Sequence, residues 1–225
     1  MMLKNNWKAN KHSKMMKKYC LFLLLFYISG FSQSYQFDAF VEIYHEVPRI
    51  NYKGSQVLLL NTSDNKITAF SHADSTFTIY DNERNLCHTF LNKTTKNKYH
   101  FVYIKSCRLN SKEDKYKYEI KKITDKKYEI TEYKNEKQRI ITFKIVVELE
   151  NSEANLLSGI SSDIGEKRRS KIINTLEKEV GNKENFKITN QLTFYSKENI
   201  IDKKTVNSGS VNIQMITPTK LKFKN

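Results

Sequence analysis

Alternation of apolar and polar residues with period two, interrupted by short polar turns, runs through most of this chain and restricts it to antiparallel β-sheet. Residues 37–47 read Phe-Asp-Ala-Phe-Val-Glu-Ile-Tyr-His-Glu-Val, with Phe37, Ala39, Val41, Ile43 and Val47 on one face and Asp38, Glu42 and Glu46 on the other. Successive side chains of a strand point to opposite sides, so this pattern predicts a strand with one buried face. Pro48 lacks a backbone donor and ends it. Further strands are expected at Gln56–Asn61, Ile67–His72, Thr76–Tyr80, Leu86–Leu91, Phe101–Leu109, Tyr116–Ile123, Tyr128–Tyr133 and Arg139–Glu150. Phe186–Tyr195, Val211–Thr217 and Lys220–Lys224 read as closing strands. The separators, such as Ser63-Asp64-Asn65-Lys66, Ala73-Asp74-Ser75 and Thr124-Asp125-Lys126-Lys127, carry side chains that hydrogen-bond nearby backbone in turns. Parallel neighbours would need crossovers of about a dozen residues or more, so brief turns imply a meander.

One segment departs from this rhythm. From Asp163 to Gly181 the apolar positions Ile172, Ile173, Leu176 and Val180 recur at helical spacing, with Lys167, Lys171 and Lys178 on the opposite face. Asp163 with Glu166 forms an acidic variant of the capping box, and Gly181 supplies a left-handed terminus. The apolar stripe is read as packing on the sheet. The expected fold class is therefore α+β, a predominantly antiparallel meander or curved sheet with one packed α-helix over about residues 163–181.

Compartment is read from the amino terminus. Six lysines precede Cys20-Leu-Phe-Leu-Leu-Leu-Phe-Tyr-Ile28, and Ser29-Gly-Phe-Ser-Gln-Ser34 follows. A basic segment, a short apolar core and small residues at a cut site make an export signal. The apolar run is about half the roughly 20 residues that a membrane-spanning helix needs. Cleavage is placed between Ser32 and Gln33, with Ser34 as a second cut, giving a signal over residues 1–32 and one exported domain over residues 33–225. Cys20 stands at the start of the apolar run, where it cannot head a lipidated mature chain. A start at Met15 or Met16 would give a more compact signal.

Cleavage changes the charge argument. Its six lysines removed, the mature chain keeps 33 basic against 24 acidic residues, a net of +9 instead of +15. Those lysines are spread along every segment, without the clustered patch and stacking aromatics that nucleic acid asks for. Glycine and proline number six and two, so long flexible spacers have no place in the chain.

Export also decides how the cysteines are read. Cys87 and Cys107 remain after cleavage, and a pair in an oxidising compartment is expected to be bonded. If Leu86–Leu91 and Phe101–Leu109 form a hairpin turning near Asn97, Cys87 faces Cys107, Phe90 faces Ile104 and Leu91 faces Tyr103. Closing that loop of about 20 residues contributes roughly 3 kcal/mol in the chain-entropy picture.

Catalytic and metal signatures are missing from the sequence. His72, Asp74, His88 and His100 do not follow the Cys-x2-4-Cys or His-x3-5-His spacing of zinc sites, and they are read as sheet-surface residues. Asp81 with Glu83, and Glu129 with Glu132, read as turn and surface carboxylates. Ser158-Gly-Ile-Ser-Ser162 lies in a loop without a Gly-x-Ser-x-Gly elbow, and no glycine-rich phosphate loop occurs. No catalytic, cofactor or metal residue is assigned. The Gly30-Phe-Ser-Gln33 junction, followed by a Lys/Tyr/Asn-rich β domain, resembles uncharacterised exported proteins of Bacteroidota, in which a glutamine often heads the mature chain. That resemblance implies a periplasmic, outer-membrane-surface or secreted location and carries no functional residues across. The reading that follows is a non-catalytic exported binding or interaction protein whose partner is a cell-envelope protein, glycan or lipid. Two alternatives stand beside it: a periplasmic carrier of lipid or lipoprotein acyl chains, and a hydrolase or metal-dependent enzyme without a recognisable motif.

Overall fold

The computed structural model describes residues 32–95, 99–109, 115–135, 137, 140–160, 165–181, 184–196 and 199–223. Six strands form a first meander: β1 (Ser34–Val47), β2 (Tyr52–Leu60), β3 (Ile67–Ser71), β4 (Thr76–Asp81), β5 (Leu86–Asn92) and β6 (Phe101–Arg108). Five more form a second: β7 (Lys117–Thr124), β8 (Lys127–Tyr133), β9 (Ile141–Asn151), β10 (Phe186–Phe194) and β11 (Ile200–Ile216). Helix α1 (Glu166–Val180) and a short 3-10 turn at Leu157–Gly159 lie between β9 and β10. The sheet order is β6-β5-β4-β3-β2-β1-β11-β10-β9-β8-β7, so the first and last strands meet in the middle and join the two meanders. Each of these neighbours pairs antiparallel.

Contacts between distant strands show how far the sheet curls. Flat strands lie about 4.8 Å apart, which would leave β3 and β8, six positions from each other, nearly 30 Å apart. Yet adjacent residues of α1 hold both. Arg168 donates to Glu132 on β8, while Arg169 donates to Thr68 on β3 and lies over the Phe70 ring. The sheet therefore wraps around the helix. Ile172, Ile173 and Leu176 pack against Ile130, Phe143, Ile145 and Val147 of β8 and β9, with Leu157 and Ile160 alongside. The first meander has a second core, in which Tyr35 and Phe37 of β1 and Ile213 and Met215 of β11 meet Leu59, Ala69, Ile79 and Phe90. The chain after β11 then returns to the far edge, where Phe223 bridges Ser106 and the Ser106 N–H donates to the Lys222 carbonyl at 2.7 Å.

Several expectations need correction. Val211–Thr217 covers only the end of a 17-residue strand, Ile200–Ile216, whose first half does not alternate apolar and polar residues. Lys220–Lys224 is not a strand among the described residues and contributes the single Phe223 bridge. Asp163 lies outside the described residues; the helix starts at Glu166 after Gly165, with no side-chain cap, and Glu166 pairs with Arg169 at 3.0 Å instead. Gly181 does end the helix at positive φ, but its ψ of 168° is extended rather than left-handed helical. Cys87 faces Cys107 as expected, with Cα atoms 5.1 Å apart and sulfurs at bonding distance. Beyond them a bulge at Ile104 moves the register, so Phe90 faces Tyr103 and Leu91 faces Val102.

Candidate functional site

The sheet parts between β10 and β11. These strands pair from Phe194–Ile200 only as far as Asn190–Lys204, while β11 stays paired with β1 along most of its length. The cause is local. A bulge at Thr189 shifts the register of β10 against β9, and bulges bend the strand that carries them. Past it, the Thr205 hydroxyl takes the Ile188 carbonyl in place of a backbone donor. Leu156 then occupies the place β11 has left, bridging Lys187 and donating its N–H to the Phe186 carbonyl at 2.8 Å.

Between the separated walls lies a cleft of about 690 Å³, lined by Ser208, Gly209 and Ser210 of β11, Asp38 and Ala39 of β1, Thr62, Lys187 and the segment Asn151–Leu156. A smaller hollow of about 240 Å³ adjoins it, sharing Lys187 and Ser208 and reaching Val206. Small uncharged residues make the β11 wall. Asp38 is held in place by accepting the Thr62 N–H at 2.8 Å and its hydroxyl at 2.6 Å. Lys187 lies 3.7 Å from Glu150. None of the lining residues is aromatic. The cleft can offer backbone donors and acceptors, hydroxyls and carboxylates; it has no ring on which a sugar could stack.

A second constellation sits inside the first meander. His88 Nδ1 lies 2.7 Å from Ser106 Oγ and Nε2 lies 2.9 Å from the Tyr35 hydroxyl, which also reaches Asp81 at 3.0 Å and Gln33 at 2.6 Å. One hydroxyl has one proton. With that proton given to the Gln33 or Asp81 oxygen, the geometry fits a His88 that donates from Nε2 and accepts at Nδ1 from Ser106. Tyr103, which accepts the Lys222 N–H at 2.9 Å, completes the chain at Ser106. Burial lowers the pKa of His88 and raises that of Tyr35, the latter reinforced by the Asp81 charge. Burial would also raise Asp81, but hydrogen bonds from the Arg84 guanidinium, the Arg84 N–H and Tyr35 hold it below the usual carboxylate range. The pattern has the form of a serine with a base. Both partners, however, lie under the returning tail, His88 with 0% and Ser106 with 1% exposure.

The structure corrects three surface assignments. His88 and Asp81 are interior, as is Glu132, which binds Arg168, Tyr118 and Thr142. Ser158 and Gly159 are buried in the 3-10 turn beneath Arg169, whose guanidinium takes the Ser158 carbonyl. Neither Arg168 nor Arg169 stood out in the sequence. The histidines do not converge: His72 meets Thr78, His88 meets Ser106 and Tyr35, and Asp74 turns back on Thr76. Among the described residues, no group of three or more His, Cys, Asp or Glu side chains is arranged to hold a metal. At the expected cut, Ser32 is exposed and Gln33 is tied by its N–H to the Thr217 hydroxyl at 3.1 Å.

Sequence offers one faint signal for the cleft, the run Asn207-Ser-Gly-Ser210 within a β-rich region. Against known proteins, the chain matches no family model and no curated protein.

Proposed function

We propose that this is an exported, non-catalytic binding module that takes a partner in the cleft between β11 and the Asn151–Leu156 segment. The parting of β10 from β11 carries the reading, because it leaves the side of a central strand open within a walled cleft. The basic, short-cored amino terminus supports export. A photo-crosslinking residue placed at exposed Ser210 in cells tests the site, with one at exposed Lys121 on β7 as control. A discrete adduct from position 210 alone is expected; adducts from position 121 alone, or none from 210, would contradict it.

A carrier of lipid or lipoprotein acyl chains is the second reading. It rests on the sheet curving around a single helix, whose Ile172, Ile173 and Leu176 fill the apolar wall of Ile130, Phe143, Ile145 and Val147. Native mass spectrometry showing no co-purified lipid, with no stabilisation by added lipid, would remove it.

A further inference from the structure

The geometry points to an extended peptide segment of a partner protein as the ligand of this cleft, adding as a strand to the open side of β11 at residues 205–210. This inference rests on the cleft reading above. In an antiparallel ladder, a residue's N–H and C=O point to the same side and alternate along the strand. Among the described residues, β1 pairs with 205–210 on one side, whereas pairing with β10 stops at Lys204 on the other. Alternate backbone donors and acceptors of this stretch therefore face the cleft.

The other edges of the sheet are built differently. Open strand edges recruit other strands, and proteins blunt them with lysine, proline, bulges or covering segments. Here the tail meets β6 at Ser106, through the Phe223 bridge and the Lys222 carbonyl. The outer strand β7 carries exposed Lys117, Lys121 and Lys122. Residues 205–210 read Thr-Val-Asn-Ser-Gly-Ser, without lysine or proline. Their shield is the opposite cleft wall, Lys187 with Asn151–Leu156, which hinders the approach of a second sheet.

Side chains refine the ligand class. Ser208 and Ser210 place small side chains beside the ligand space, Gly209 yields its side-chain position to the Phe40 ring of β1, and bulged Val206, 57% exposed, offers an apolar contact at one end. Asp38 and Glu153 face the ligand space against a single Lys187, itself near Glu150. The complementary peptide is short, β-forming and carries a lysine or arginine. A glycan is disfavoured by the absence of any aromatic lining residue.

The test uses dodecapeptides selected from a random phage-displayed library on the exported form of the chain, followed by N-methylation of the best peptide at each position in turn. N-methylation removes one backbone donor and leaves the side chains intact. Strand addition predicts losses of tenfold or more at alternate positions, basic residues among the selected sequences, and loss of binding in Ser210→Trp and in Val206→Lys. Val206→Lys, at an exposed site, serves if the tryptophan variant does not fold. Losses without alternation, with binding still abolished by the variants, would overturn strand addition while leaving the cleft reading intact. Binding untouched by either variant would overturn both. Enrichment of no peptide, or peptide-independent dimers abolished by Ser210→Trp, would overturn assignment to a partner's peptide.

Discussion

His88 has no exposed surface and is held neutral between Ser106 and Tyr35, so its environment becomes a property of stability against pH. Its folded pKa lies below the ordinary value of about 6.5, because burial disfavours the imidazolium. The unfolded chain therefore takes up the proton first. The stability associated with neutral His88 is intact above about pH 6.5, declines at up to about 1.4 kcal/mol per pH unit below it, and levels off beneath the folded pKa. Asp81, also lowered, acts in a separate window, with its contribution lost below about pH 4. Urea unfolding of His88→Gln between pH 7 and 4.5 should show a shallower acid slope than the parent; an unchanged slope would place the responsible proton elsewhere. None of this burial was legible locally. Tyr35 and Asp81 stand 46 residues apart, and Arg169 meets Thr68 across 101. A surface carboxylate and a buried one have the same local pattern until such partners are known.

Elements were legible where their packing is periodic. The strands with alternating faces and the stripe Ile172, Ile173, Leu176 follow from the two periodicities, and the Cys87–Cys107 register follows from counting along a hairpin. The first half of β11 was hidden because its few apolar residues, Ile200, Ile201 and Val206, do not keep to one face and its place depends on pairing with β1, more than 150 residues away. The helix also depends on the folded sheet, since no side chain caps its start. Arg168 secures it: the guanidinium binds Glu132, stacks 4.0 Å from the Tyr116 ring centroid and lies over Phe143. Burial alone would lower the pKa of Arg168, but hydrogen bonding to Glu132 and its charge raise it, so the cation persists throughout the accessible range. Truncating one member leaves the other buried without its partner, which costs about 3–5 kcal/mol. Arg168→Met should show that loss in chemical denaturation, whereas Arg168→Met with Glu132→Leu should recover much of it. Equal losses in the single and double variants would show that the pair is not the fastening.

At the scale of the molecule, joining two meanders through β1 and β11 lets an eleven-stranded sheet curl around one helix, and the parting at β10 is where that curvature opens the sheet. One outer edge is met by the tail at Ser106 and the other carries lysines, while the β11 wall of the inner opening is made of Ser208, Gly209 and Ser210. Residue-resolved amide hydrogen exchange along β11 tests this opening directly, without any ligand. Amides of Asp202–Lys204, flanked by strands on both sides, should all be protected; within 206–210, slow amides facing β1 should alternate with fast amides facing the cleft. Uniform protection from 202 through 210 would contradict an open β11 edge.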